Sequence, residues 1–175
     1  MTYHEYALLP QDRNRYEILD GELYMTPSPS VEHQLVVAEL TRILAEHVAK
    51  RGLGKVIPAP MDVVLGETNV VQPDILFIRT DRLPPRKAKN IQVPPDLIVE
   101  VVSPSSVEQD RGDKKHVYAR HGIAHYWIVD PEARRLEMYT LSRGSYELSA
   151  DFTGQVQATT ILFPGLVIPL PALWA

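Results

Sequence analysis

The sequence predicts an α/β fold: a mixed central β-sheet flanked by helices, with a hairpin near the N-terminus and a β-meander near the C-terminus. Three observations carry this. Two apolar runs, Val70-Val71-Gln72-Pro73-Asp74-Ile75-Leu76-Phe77-Ile78 and Asp96-Leu97-Ile98-Val99-Glu100-Val101-Val102, are rich in β-branched residues and continuous enough to be buried strands. A third run, His125 to Asp130, follows the second after a helical stretch, the arrangement that gives parallel neighbours joined by a crossover. Arg15 to Met25 and Arg135 to Leu148 each place a turn pair, Asp20-Gly21 and Arg143-Gly144, between strand-like flanks, which predicts antiparallel pairs.

Taken in order, residues 1 to 14 have no clear period and read as a short helix or an irregular arm. After the hairpin, Ser28 or Ser30 is the N-cap of a helix from Val31 to about Arg51, whose Val37, Leu40, Leu44 and Val48 form one apolar stripe and whose end is marked by Gly52. That stripe should pack on the sheet. His33, in the first turn, reads as a capping or surface residue. Lys55 to Leu65 suggests one strand with an irregular entry, because Pro58 and Pro60 cannot donate to a ladder, and a hairpin about Gly66-Glu67-Thr68-Asn69 leads into the Asp74 run. Residues 80 to 95 are the longest stretch without apolar period and read as a disordered flap or a basic arm. A helix then starts after Ser106, tolerates Gly112 and closes at Gly122. The tail from Thr159 to Trp174 is apolar and Pro-rich, suited to covering the core or a partner subunit. With 175 residues the chain is expected to form one domain, 1–175.

Composition excludes several chemistries. There is no cysteine, hence no disulfide framework, thiolate zinc site or cysteine nucleophile. A formal net charge of −4 gives no general affinity for nucleic acid, so any such contact must come from local clusters. Two are present: Arg79, Arg82, Arg86, Lys87 and Lys89, and then Arg111, Lys114 and Lys115. The N-terminus lacks the basic and apolar regions of a signal peptide and no apolar run approaches a membrane span, so a cytoplasmic location without membrane contact is expected.

The chemistry concentrates on two carboxylates. Strand side chains alternate, so Glu100 shares a face with Ile98 and Val102, and Asp74 shares one with Leu76 and Ile78. An ionised carboxylate in such surroundings costs several kcal/mol unless it is paired or bound to a cation. In the helix that follows, Asp110, Lys114 and Tyr118 recur every four residues and fall on one face. If the two strands are neighbours, Asp74, Glu100 and Lys114 converge. Paired carboxylates can hold a hard divalent cation whose remaining ligands are waters and phosphate oxygens, while a lysine stabilises charge on phosphorus or, with a depressed pKa, deprotonates the attacking water. Together they fit phosphodiester hydrolysis. Glu22 is either an exposed strand residue or a third acid at this site.

These residues, in this order, resemble a known pattern. Val71-Gln72-Pro73-Asp74, Leu97 to Ser105, Asp110 with Lys114 and Tyr118, and Gly122-Ile123 with Tyr126 to Asp130 are similar to the Uma family of restriction-endonuclease-like proteins, a domain family of unknown function in the PD-(D/E)XK nuclease superfamily. The resemblance runs from the Asp20-Gly21-Glu22 hairpin to Asp130. It implies a restriction endonuclease-like fold, an endonuclease activity on DNA, Mg2+ or Mn2+ as cofactor and a homodimer. It implies Asp74 and Glu100 as catalytic, metal-binding acids, with Glu22 a further metal ligand. The superfamily lysine normally stands two residues after the second acid, where this chain has Val102. Lys114 is the implied substitute, with Lys115 its neighbour. The missing strand lysine and the acidic charge also suit an alternative: an inactive nuclease-like fold serving as a DNA- or protein-binding module.

Overall fold

The computed structural model describes residues 1–10, 14–154 and 156–175, so part of the N-terminal arm, residues 11–13, lies outside it. A short helix, α1 (Tyr3–Tyr6), opens the chain and is closed by a capping box between Thr2 and Glu5. The hairpin follows as β1 (Arg15–Leu19) and β2 (Glu22–Thr26), joined by Asp20 and Gly21 at φ 51° and 85°. A two-residue turn of the primed type requires both values to be positive.

The long helix α2 (Val31–Arg51) is capped by Ser30, whose hydroxyl accepts from the His33 amide, and ends at Gly52 with φ 63°. The expected single strand from Lys55 to Leu65 is instead two. β3 (Gly54–Pro58) and β4 (Val63–Gly66) belong to different sheets, and the proline-rich link between them includes a cis Ala59-Pro60 bond. β4 makes the expected hairpin with β5 (Asn69–Val71), but the run from Val70 to Ile78 is not one strand: β5 and the next strand, Ile75–Arg79, belong to different sheets. β5 in turn pairs with β1, giving a four-stranded sheet ordered β2-β1-β5-β4.

The central sheet holds six strands: β3, then β6 (Ile75–Arg79), β7 (Leu97–Val101), β8 (His125–Asp130), β9 (Arg135–Ser142) and β10 (Ser145–Thr153), in spatial order β10-β9-β8-β7-β6-β3. Only β7 and β8 run parallel, so the sheet is mixed and the C-terminal meander completes it. Between β7 and β8 the chain forms α3 (Val107–Arg111) and α4 (Asp113–Arg120) rather than one continuous helix. Gly112 separates them. A Cβ there would stand 2.8 Å from the Glu108 carbonyl oxygen, so only glycine lets the chain turn this tightly.

Alternation along the strands divides the core as the sequence pattern predicts. On one face Ile75, Phe77, Leu97, Val99, Val101, Trp127 and Val129 pack with the α2 stripe. On the other, Leu76, Ile78, Ile98, Val102, Tyr126 and Ile128 meet Val117 and Tyr118 of α4. The tail forms β11 (Gln157–Thr159), β12 (Val167–Pro169) and α5 (Leu170–Leu173), and its Phe163, Leu166, Ile168, Leu170 and Leu173 join the first core. These five residues therefore cover this chain's own core, while Ile161 and Val167 stay exposed.

Residues 80 to 95 are held in place rather than forming a disordered flap. Arg82 pairs with Asp96 at 2.7 Å and donates to the Pro94 carbonyl, while buried Ile91 exchanges backbone bonds with Asp62 and Val64. Leu83 and Val93 pack partly buried against the same core as Ile91, and so few apolar contacts, unevenly spaced, show no period. Among the described residues no helix is long and apolar enough to cross a membrane.

Candidate functional site

β6 and β7 pair antiparallel with Ile75 opposite Val99, so one residue further on Asp74 stands opposite Glu100. Directly opposed residues present side chains to the same face. The Asp74 amide donates to Glu100 Oε2 at 3.4 Å and the Val101 amide donates to Asp74 Oδ2 at 2.9 Å. From α4, Lys114 Nζ reaches three carboxylates: Glu17 at 3.0 Å, Glu100 at 3.2 Å and Asp110 at 3.3 Å. Tyr118 donates its hydroxyl to Glu100 Oε1 at 2.6 Å. The four-residue spacing of Asp110, Lys114 and Tyr118 thus survives the break at Gly112. All of Glu17, Asp74, Glu100, Asp110 and Lys114 are at most 5% exposed.

Three further side chains complete the cluster. Glu17 comes from β1 and accepts the Gln72 amide on its other oxygen at 2.7 Å. Arg15, two residues before it on the same strand face, donates to Asp74 Oδ1 at 3.2 Å and to the Gln72 carbonyl. His33 Nε2 lies 3.2 Å from Asp74 Oδ2. His33 is therefore neither a cap nor a surface residue: the Ser30 hydroxyl takes the capping role, and the imidazole is buried against the acid. Arg15, Glu17, His33, Asp74, Glu100 and Lys114 line one cavity of about 300 Å3, with several serines on its wall.

Sequence reasoning brings Asp74, Glu100 and Lys114 together, and the structure does the same. Glu22 is elsewhere. It sits exposed on β2, the outermost strand of the smaller sheet, where it accepts from the Tyr24 hydroxyl at 3.0 Å, and it does not line the cavity. Neither do Arg79, Arg82, Arg86, Lys87 and Lys89. The second basic cluster is dispersed: Lys114 is buried, Arg111 pairs with Glu137 at 2.6 Å, and Lys115 lies 3.7 Å above the Tyr139 ring. Arg15 and Glu17 were legible as two charged residues at i and i+2 in an otherwise apolar strand. Nothing local links them to Asp74.

The electrostatics follow from burial and charge balance. Four carboxylates face two permanent cations, Lys114 and Arg15. Burial pushes Glu100 up to about 8, a rise that Lys114 opposes and the charges of Asp110, Asp74 and Glu17 reinforce. Burial also raises Asp110 against the pull of Lys114. For Asp74, burial is outweighed by the hydrogen bond and charge of His33, the charge of Arg15 and the Val101 amide, and its pKa is lowered. Burial works against charge on Lys114, yet Glu100, Glu17 and Asp110 hold its pKa well above the ordinary value. Lys114 keeps its proton, which removes the general-base role open to a lysine of depressed pKa. His33 is raised as well, burial being outweighed by Asp74.

This donor set fits a hard cation. Two carboxylates on adjacent strands line an open cavity, and oxygen ligands of that kind suit Mg2+ or Mn2+. Among the described residues no three Asp, Glu or His side chains are spaced as a complete metal shell, so other ligands would be waters or substrate oxygens.

A pH dependence follows. Between pH 6.5 and 8 the folded chain retains protons on Glu100 and His33 that the unfolded chain has released, so raising the pH favours unfolding. Chemical denaturation without divalent ions should show stability falling by up to about 2 kcal/mol over this window, at roughly 1.4 kcal/mol per unit for Glu100. A bound divalent cation should flatten that slope. An equal slope in Glu100→Gln would assign it to other groups.

The Uma2 family model, described as "Putative restriction endonuclease", matches residues 3–171. The uncharacterized protein slr1290 of Synechocystis sp. is 26% identical over 131 residues, covering 74% of this chain and 67% of that protein. A crystal structure from Anabaena variabilis, described as "a putative nuclease belonging to DUF820", superposes with a TM-score of 0.85 at 19% identity, covering 99% of this chain and 97% of the other. At that identity the likeness establishes the fold.

Proposed function

This chain belongs to the Uma2 family, and on that premise we propose that it is a divalent-metal-dependent endonuclease that hydrolyses phosphodiester bonds of DNA. The observation that carries this reading is the opposition of Asp74 and Glu100 on β6 and β7 at a cavity whose other acids are compensated by Lys114.

In this reading Asp74 and Glu100 would hold a Mg2+ or Mn2+ ion, which when bound supplies a water of lowered pKa and positive charge beside the phosphate. The chain's own residues set up that pair. The Val101 amide and His33 fix one oxygen of Asp74. Tyr118 and Lys114 both bind Glu100 Oε1, leaving Oε2 with only a long contact to the Asp74 amide. Lys114 acts as a fixed positive charge that lets Glu17, Glu100 and Asp110 coexist, and the proton of the attacking water is not transferred to it. Glu22 has no role here; Glu17 is the third acid, one step removed through Lys114. The proposal includes a homodimer, which would bring two sites to the two strands of a duplex, and the buried apolar residues of the tail are not available as its interface.

The test is cleavage of supercoiled plasmid and of single-stranded DNA with Mg2+, Mn2+ or a chelator. Metal-dependent nicking is expected. A folded protein that binds DNA yet leaves it intact with either metal would be a binding module on a nuclease fold.

A further inference from the structure

We propose that Arg15 and Gln109 form a phosphate-oxygen subsite that grips the substrate strand beside the carboxylate pair. The inference rests on the nuclease reading for the identity of its ligand, but not for its geometry.

The cavity's other cations have no hydrogen left to offer. Lys114 directs Nζ at three carboxylates and is buried, and His33 faces Asp74 through Nε2 and Gln34 through Nδ1. Arg15 is different. Its side chain is 21% exposed, against 6% for Lys114. A guanidinium carries five N–H donors in a rigid plane. Asp74 takes one and the Gln72 carbonyl another, which fixes the plane and leaves the rest. Arg15 Nε is buried with no hydrogen-bond partner among the described residues.

Gln109, on α3, lines the same cavity, and its Nε2 is likewise buried and unpartnered. Buried donors left unpaired cost about 1–3 kcal/mol each, so two of them on residues that line one cavity favour an acceptor-rich ligand there. A phosphodiester oxygen meets the need: it accepts several N–H bonds and, next to a guanidinium, accepts them at charge-assisted strength. Arg15 therefore has a dual position at the cavity wall, holding Asp74 through one nitrogen while its Nε keeps a donor without a partner among the described residues.

The experiment measures binding of a fluorescent single-stranded oligonucleotide by anisotropy, in chelator, to the full chain and to Gln109→Leu and Arg15→Lys. Gln109 Nε2 has no partner to lose among the described residues, so Gln109→Leu should fold with an unchanged melting temperature. It should weaken binding about three- to tenfold, and Arg15→Lys should weaken it about tenfold or more while keeping the slope of affinity against salt, because the charge remains and the fork is lost. Where cleavage is measurable, the apparent KM of Gln109→Leu should rise more than kcat falls. Wild-type affinity in both variants overturns the subsite even if the plasmid is nicked. Weakened binding without any nicking keeps the subsite and removes the nuclease. Inorganic phosphate binding as tightly as the oligonucleotide, with the same dependence on both residues, would make this a site for free phosphate and overturn its assignment to a strand.

Discussion

Glu100→Gln should reduce metal-dependent nicking by about 10³-fold or more while leaving the metal-free protein at least as stable as the native chain at pH 8. The first effect follows from removing one of the two proposed cation ligands, since stabilisation of charge at such centres is worth several kcal/mol. The second follows from burial. Glu100 is held up at about 8 by burial and by neighbouring acids, so at pH 8 the native chain carries a costly buried charge. Glutamine has the same shape, still accepts from Tyr118 and Lys114 at Oε1, and gives up only the long contact of Oε2 with the Asp74 amide. Lys114 keeps Glu17 and Asp110 as partners. Activity and stability thus move in opposite directions, which a merely structural glutamate would not produce. Thermal melting and plasmid nicking on the same preparations give both readings.

Lys114→Met should have the largest effect on stability, a loss of about 3–5 kcal/mol at pH 7, because it leaves three buried carboxylates without their shared cation. Methionine fills a similar volume, so the loss reports charge rather than a cavity. The deficit should shrink as the pH falls and the acids take up protons, the pKa values of Glu100 and Asp110 being raised already by burial. Adding Glu100→Gln to Lys114→Met should recover part of the loss, a coupling readable from a double-mutant cycle by urea denaturation. Additive losses would show that Lys114 and Glu100 stabilise the fold independently.

Much of this site was legible because its parts are periodic. Strand alternation put Glu100 with Ile98 and Asp74 with Leu76, and the helical period put Lys114 and Tyr118 on one face, so both halves could be aimed from the sequence. The remaining residues depend on contacts that no local pattern encodes. Glu17 reaches Lys114 because β1 pairs with β5 through Ile18 and Val70, a pairing across some fifty positions. The Asp20-Gly21 turn announces the hairpin but not which strand it joins, and so Glu17 carries no local sign of its place at the site, whereas Glu22 is the acid that the family resemblance implies. His33 was obscured by its position in a helix first turn, where capping is the commoner role and Ser30 already supplies it. In residues 80 to 95 buried Ile91 and partly buried Leu83 and Val93 are too few and too unevenly spaced to show a period.

The central claim is that Asp74 and Glu100 together hold the ion that makes this chain a nuclease. Its most direct test is plasmid nicking as a function of Mn2+ concentration by the native chain, Asp74→Asn and Glu100→Gln, each shown to be folded. The native chain should nick over one saturable range of Mn2+, with both variants inactive throughout. Native-like nicking by either variant would contradict the account.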